Sequence, residues 1–301
     1  MKATIQICTY NRAHLLGRVL DACFEQTVCA PEYEIVLVND GSTDETPAVI
    51  ASAQARATCP FTVVNQPNGG LAKARNSGLA RSTGERIILI DDDVLPLPNF
   101  VEEHLRSHAA HPDAIVRGGA INVENFDDLP LPIWSLRNYS GNYFWTTNVS
   151  VPLAKLRAVG GFNESFAEYG WEDIDVGLRL RFAGVKAVVN RRAIVYHYKP
   201  PPRASDVEKM LRQARAQART ALQLANLHPH WRTYLATGDN PLARFLHRWT
   251  RGAGAARKFR SQIGSSEDDR PLTGRELRAA RRLAAEAYFE ELERVRRAGT
   301  S

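Results

Sequence analysis

The stretch Ile87-Ile88-Leu89-Ile90-Asp91-Asp92-Asp93 constrains this chain more than any other. A continuous aliphatic run bounded by charge reads as a strand buried on both faces. The acids then stand at its carboxyl end, the edge where open α/β sheets bind ligands. Strand side chains alternate, so Asp91 and Asp93 point one way and Asp92 the other. Crowded carboxylates favour protonation of one of them unless a cation sits between them. Hard oxygen donors at this density suit Mg²⁺ or Mn²⁺, which hold one or two protein carboxylates and complete their shell with phosphates and water. The pattern points to a metal–diphosphate site. The plainer alternative is a solvated acidic loop behind a core strand.

Upstream, strands and helices alternate. Ala3–Cys8 alternates into a strand followed by Thr9-Tyr10-Asn11-Arg12. Leu15, Leu16, Val19, Leu20 and Cys23 share one face of a helix over 13–26. A strand over 34–38 ends in Asn39-Asp40-Gly41-Ser42-Thr43-Asp44, and Thr43 or Asp44 is expected to cap a helix with Pro47 in its first turn. A third strand, 61–65, meets a turn at Gln66-Pro67-Asn68-Gly69-Gly70, which opens a helix carrying Lys73, Arg75 and Asn76. This order predicts βαβ units and a doubly wound, mostly parallel sheet. Each polar cluster follows a strand, so all collect on one edge. The first strand-to-helix turn lacks G-x-G-x-x-G, which sets a dinucleotide site aside.

Further on, a helix is expected over 98–110 and a strand over 114–121 interrupted by Gly118-Gly119. Residues 122–144 read as an irregular polar–aromatic loop, a lid or sugar platform or simply a loop packed by its own aromatics. Trp145-Thr146-Thr147-Asn148-Val149-Ser150 reads as a strand entering the site, and a short helix over 153–159 ends at Gly160-Gly161. Ile174, Leu178 and Phe182 predict a helix from Glu172 to Gly184, with Trp171 just before its acids. Acids there also complement the helix dipole with no other role. A last strand, 186–197, ends in Tyr196-His197-Tyr198.

Charge is uneven. Residues 1–202 carry 19 Lys and Arg against 22 Asp and Glu, whereas residues 203–301 carry 20 against 11. The basic end suits an anionic surface, or is a solvated helical face. Pro200-Pro201-Pro202 marks the boundary, and Ser205-Asp206-Val207-Glu208 reads as a capping box for a helix to about Leu227. Asn240-Pro241 opens a basic, aromatic helix suited either to a membrane interface or to packing on the catalytic body. Gly252–Asp269 reads as a mobile loop. After a second capping box at Thr273–Glu276, a long helix shows an apolar side through Leu277, Ala280, Ala284, Ala287, Leu292 and Val295, for the body or for a second copy in a homodimer. No recognition-helix, zinc or RNP pattern supports nucleic acid as a partner. Cys8, Cys23, Cys29 and Cys59 lack metal-ligand spacing and read as reduced thiols. With a strand directly after Met1-Lys2 and no long apolar run, the expected place is the cytoplasm, peripheral to the inner face of the membrane if the basic helices touch it.

Taken together, the clusters at 9–12, 38–44, 68–76 and 91–93, Gly160-Gly161-Phe162-Asn163-Glu164 and Trp171-Glu172-Asp173 resemble family 2 glycosyltransferases, in the family's order and over roughly residues 3–200. The resemblance implies a GT-A fold over 1–202, with a nucleotide-binding half to about 95 and an acceptor half from about 96; the helical, basic extension over 203–301 lies beyond it and is read from its own composition. It implies a metal-dependent, inverting transfer from a nucleotide-diphospho-sugar, UDP-sugar first, to a hydroxyl on a glycan or lipid-linked glycan. Thr9, Tyr10, Asn11 and Arg12 would line the nucleotide pocket. Asp40, with Asn39, would bond the base, and Asn39 stands where many relatives have Asp. Arg75 would contact the nucleotide, and Asp91 and Asp92 the ribose or a metal-bound water. Asp93 and His197 would hold Mn²⁺ or Mg²⁺. Asp173 would be the general base, and Asn148, Trp171 and Glu172 would face the acceptor. A sugar-1-phosphate nucleotidyltransferase and a non-catalytic nucleotide-sugar-binding scaffold are the competing readings. The first needs a Gly-rich triphosphate loop where this chain has Thr-Tyr-Asn-Arg; the second is disfavoured by intact acids at Asp93 and Asp173.

Overall fold

The computed structural model describes residues 1–250, 259–263 and 270–298. The chain divides into two compact units, Met1–Ala167 with Glu172–Lys199, and Glu168–Trp171 with Pro200–Ser301.

The first unit begins β1 (Ala3–Thr9), α1 (Ala13–Phe24), β2 (Tyr33–Asp40), α2 (Thr46–Arg56), β3 (Phe61–Gln66), α3 (Leu71–Arg81), β4 (Arg86–Asp91). It continues β5 (Val94–Pro96), α4 (Phe100–Ala110), β6 (Ile115–Val123), β7 (Val149–Pro152), α5 (Leu153–Ala158), α6 (Glu172–Phe182) and β8 (Ala187–Tyr198). Among the described residues the strands form one sheet in the order β3-β2-β1-β4-β7-β6-β8-β5. β1 to β4 are mutually parallel, and β7 enters antiparallel between β4 and β6. This is the expected GT-A-type, mostly parallel α/β sheet, followed by helices.

β4 is buried on both faces. Ile88 and Ile90 join the core beneath α1, and Ile87 and Leu89 join a second core with Val149, Val151, Leu156 and Leu180. Each such side chain contributes about 1.5–3 kcal/mol by leaving water. The register aligns the strand ends: Cys8 pairs with Asp91, and Thr9 with Asn39. Two connections carry the edge further. β5 pairs antiparallel with β8, setting Val94 opposite His197, and the Tyr198 N–H donates to the Asp93 carbonyl at 2.9 Å. β6 is irregular between Arg117 and Gly119, where Gly118 is left out of the ladder and Gly119 resumes it opposite Ile194.

The expectations need three local corrections. Trp145–Asn148 is a turn, and strand begins only at Val149. The N-cap of α2 is Glu45; Asp44 instead accepts from the N–H groups of Thr46 and Ala13, at 2.9 and 3.2 Å. The turn before the long basic helix is closed by Asp206, whose carboxylate accepts the Arg203 N–H at 2.8 Å.

The second unit holds α7 (Val207–Leu227), α8 (Trp231–Ala236), α9 (Pro241–Thr250) and α10 (Gly274–Ala298). The apolar side of α10 packs on α7: Ala280, Leu283 and Ala287 meet Leu211 and Ala214, and Leu292 meets Ala218 and Ala221. The Thr273–Glu276 box is present, with the Thr273 N–H donating to Glu276 at 2.8 Å. Apart from 259–263, the stretch expected to be a mobile loop lies outside the described residues. No described helix is long and apolar enough to cross a membrane.

Candidate active site

The edge is built from loops that tie one another down. Asn11, with φ of 54°, accepts from the Thr43 N–H at 2.8 Å, and its own N–H donates to Ser42 Oγ at 3.0 Å. Asn tolerates this left-handed conformation better than most residues. Gly41, at φ of 77°, leaves no room for a side chain, since a Cβ would lie 2.6 Å from the Asn68 nitrogen. Asp40 is buried and accepts from Gln66 Nε2 and the Gly69 and Gly70 N–H groups at 2.7, 2.9 and 3.0 Å. Asn39, also buried, donates to Asn65 Oδ1 and accepts from the Ser42 N–H at 3.0 and 3.1 Å. The polar atoms expected to read a base are thus engaged in holding the loops. Thr9 is buried, whereas Tyr10 is exposed at the strand end.

The three aspartates occupy different surroundings. Asp91 accepts from Thr147 Oγ1 at 2.7 Å and Arg75 Nη2 at 3.3 Å. Burial pushes Asp92 up to about 7, against the pull of Arg12, whose Nε lies 3.5 Å from its Oδ1. Asp93 is also raised, by burial first and then by Asp91. Its Oδ1 is buried without a hydrogen-bond partner, and its Oδ2 lies 3.6 Å from Arg12 Nη2.

His197 faces that orphaned oxygen, with Nε2 3.6 Å from Asp93 Oδ1. Its Nδ1 lies 3.0 Å from Asn122 Oδ1. With that oxygen as acceptor, Nδ1 carries the proton and Nε2 is a bare lone pair. Burial lowers the imidazole pKa, which keeps the ring neutral. With Asp93 ionised, two acceptors face one another, an arrangement that fits a cation. A ligating histidine is oriented in this way by the bond its other nitrogen makes. Among the described residues no cluster of three or more His, Cys, Asp or Glu side chains surrounds one point. Asp93 and His197 thus offer a two-ligand set, which suits an ion that takes its remaining ligands from phosphate and water.

Beside the aspartates stands a buried guanidinium. Arg75 bonds Glu172 Oε1 at 3.1 Å, Asp91 Oδ1 at 3.3 Å and Thr146 Oγ1 at 2.5 Å, and lies over the Phe162 ring, 5.1 Å from its centroid. Asn76, on the same helix, bonds the backbone of Phe162 in both directions at 2.8 Å, which explains the Gly-Gly-Phe-Asn-Glu segment. Arg75 thus joins the acids of β4 to those opening α6, and both of its Nη groups are engaged inside the protein. Asp173 follows Glu172 and is raised to about 7, by burial first and then by Glu172. A carboxyl with a pKa near 7 beside these fixed charges suits proton transfer.

Two residues expected at the acceptor are placed otherwise. Asn148 is buried and spends its amide on Gly119 O, Ala193 O and His104 Nε2. Trp171 belongs to the second unit, where its Nε1 donates to Gln217 O at 2.8 Å. Sequence reasoning missed Thr146, Thr147 and Asn122. The threonines lie in a segment expected to be strand, and Asn122 is recognisable only through the pairing of β6 with β8.

A profile of glycosyl transferase family 2 matches residues 4–159, and one for the N-terminal domain of galactosyltransferase matches residues 135–201. The chain belongs to glycosyl transferase family 2. Validoxylamine A glucosyltransferase of Streptomyces hygroscopicus subsp. jinggangensis is 30% identical over 228 residues, 63% of this chain and 54% of that protein. The chain thus spans about half the length of the curated relatives it matches first. Among solved structures, a mannosyltransferase from Pyrobaculum calidifontis in complex with GDP-Man and Mn²⁺ superposes with a TM-score of 0.62 at 17% identity, covering 97% of this chain and 86% of that one. S. aureus TarS in complex with UDP-GlcNAc superposes with 0.58 at 17%, covering 99% and 92%. At such identity these likenesses speak for the fold.

Proposed function

We propose that this chain is an inverting glycosyltransferase that moves a sugar from a nucleotide-diphospho-sugar to a hydroxyl of a glycan or lipid-linked glycan. The observation that carries the reading is the unpartnered Asp93 Oδ1 facing the bare Nε2 of His197, at the same sheet edge as a general-base candidate. Asp93 and His197 would hold Mn²⁺ or Mg²⁺; when bound, the ion stabilises charge on the departing diphosphate. Asp173 accepts the proton of the attacking hydroxyl. Glu172, fixed by Arg75, orients that acceptor, and Asp91, fixed by Thr147, meets the donor's ribose. Tyr10 offers its exposed ring to the base, and Arg12, beside Asp92 and Asp93, would meet the phosphates. Residues 1–202 are the catalytic domain on this reading and 203–301 an accessory one.

A uridine nucleotide is the first donor to test. The solved neighbours carry both GDP-Man and UDP-GlcNAc, so guanosine nucleotides are tested beside it. A melting-temperature panel of nucleotide-sugars, each with Mn²⁺ and with EDTA, tests the site, because a ligand bound only to the folded state raises the midpoint. A metal-dependent rise with one nucleoside diphosphate supports the reading. No rise with any donor sinks it, donor binding with no hydrolysis and no transfer to any acceptor sinks it in favour of the non-catalytic scaffold, and pyrophosphate release from a nucleoside triphosphate sinks it in favour of a nucleotidyltransferase. A cytoplasmic enzyme resting on the membrane is favoured by α8 and α9, which expose Trp231, Leu235, Leu242 and Phe245, with Arg232 over the Trp231 ring. Failure to sediment with anionic vesicles would remove that part.

A further inference from the structure

Beneath the sheet edge lies a buried polar chain that the proposed chemistry does not use. Asn148 Nδ2 lies 2.9 Å from Gly119 O and 3.0 Å from Ala193 O, so both amide protons point at carbonyls. Its Oδ1 is then an acceptor, and His104 Nε2, 3.0 Å away, must carry the proton. Burial pushes His104 down to about 4, so the ring is neutral with one N–H, and Nδ1 is an acceptor. Ser150 Oγ, 2.7 Å from that Nδ1, must donate to it. Having spent its only proton, the same oxygen accepts from His108 Nε2 at 2.8 Å. The direction of every bond follows from the two carbonyls at one end. The chain ends at His108.

We propose that Asn148, His104 and Ser150 are positioning residues that set the Trp145–Asn148 turn and, through its two threonines, the geometry of Asp91 and Arg75. The turn is closed by the Asn148 N–H on Trp145 O at 3.1 Å and pinned by the Gly118 N–H on Asn148 O at 3.2 Å. Thr146 Oγ1 receives Arg75, and Thr147 Oγ1 donates to Asp91. The route from His104 to the acids of β4 and α6 is therefore bonded at each step. Gly118 belongs to the device: a Cβ there would sit 2.1 Å from Ala193 O and 2.4 Å from Asn148 Nδ2, so only glycine lets the amide reach its carbonyls.

The inference rests on the glycosyltransferase reading, and two measurements separate their failures. The first is steady-state kinetics of Asn148→Ala, of Thr146→Val with Thr147→Val, and of the three together, below their melting temperatures. Asn148→Ala is expected to lower kcat/KM about tenfold, with most of the loss in donor KM, as displacement of a site-fixing group does. It should lower it less than about twofold more in the valine background, since coupled residues are not additive. Independent, multiplying losses would overturn the proposal, as would a lowered melting point with unchanged kcat and KM. Ser150→Ala removes a single hydroxyl and serves should Asn148→Ala not fold. The second measurement needs no activity. The His104 Nε2–H proton should exchange slowly in the wild type and be lost from the spectrum in Asn148→Ala. Its absence from the wild type would remove the chain itself, whereas its presence in an enzyme with no transfer would remove only the catalytic reading.

Discussion

Asp40 ends β2 and Asp93 lies just beyond β4, with β1 between the two strands, and their surroundings differ completely. Asp40 takes a side-chain amide and two backbone N–H groups on its carboxylate, so its burial is compensated and the loop before α3 depends on it. Asp93 keeps a buried oxygen with no hydrogen bond, opposite a histidine lone pair. A buried polar atom without a partner costs stability, and native chains keep few of them. The first carboxylate is part of the scaffold. On the proposed reading, the second is a cost the fold carries for a ligand.

The comparison can be broken most forcefully at the base. Asp173→Asn keeps shape and removes proton acceptance, so transfer should fall by about 10²–10⁴-fold while the nucleotide-induced rise in melting temperature persists. Unchanged transfer would take the base role from Asp173. The two strand-end acids come next. Asp93→Ala should abolish metal-dependent donor binding and leave the ligand-free midpoint unchanged or higher, because an uncompensated buried oxygen is removed. Asp40→Ala strands the Gly69 and Gly70 N–H groups and should destabilise by about 1–3 kcal/mol in urea. If Asp93→Ala were the more destabilising of the two, the distinction would be wrong.

A pH profile sharpens the same contrast. Asp173 is pushed up to about 7 by burial and then by Glu172. A base works deprotonated, so kcat should climb about tenfold per pH unit below that value and level off above it. Glu172→Gln removes the neighbouring negative charge and should move the rise to lower pH, whatever it does to the plateau. A midpoint that stays in place would mean the rise belongs to another group.

Much of this was legible before any coordinates. The aliphatic run of β4 could only be a strand covered on both faces, and placing the polar clusters after strands put them on one edge. Two kinds of information were not local. Asp40 and Arg75 stand where ligand contacts were expected, but their partners, Gly69, Gly70, Asp91 and Glu172, come from other loops and turn those side chains inward. The orientation of His197 depends on Asn122, through strand pairing that no window of sequence contains. Trp145-Thr146-Thr147-Asn148 has the composition of a strand and is a turn because its side chains bond Arg75, Asp91 and the His104 chain instead of letting the segment join the ladder.

The smallest expected effect concerns Arg12, and its sign is the informative part. Its guanidinium lies 3.5 Å from Asp92 and 3.6 Å from Asp93, on a side chain 39% exposed. Its charge balances these acids. A divalent ion entering beside Asp93 must share the site with that charge. Arg12→Ala should therefore strengthen Mn²⁺ binding in the absence of nucleotide, by about 1 kcal/mol or roughly fivefold, the upper range for a part-exposed ion pair. The same change should weaken binding of the nucleoside diphosphate once Mn²⁺ is present, because a positive charge near the phosphates is lost. Titration calorimetry with Mn²⁺ alone and then with the nucleotide separates the two. Weaker Mn²⁺ binding in the variant would mean that Arg12 shapes the acids for the ion rather than standing in for it, and Asp93 would then be less frustrated than its unpartnered oxygen implies.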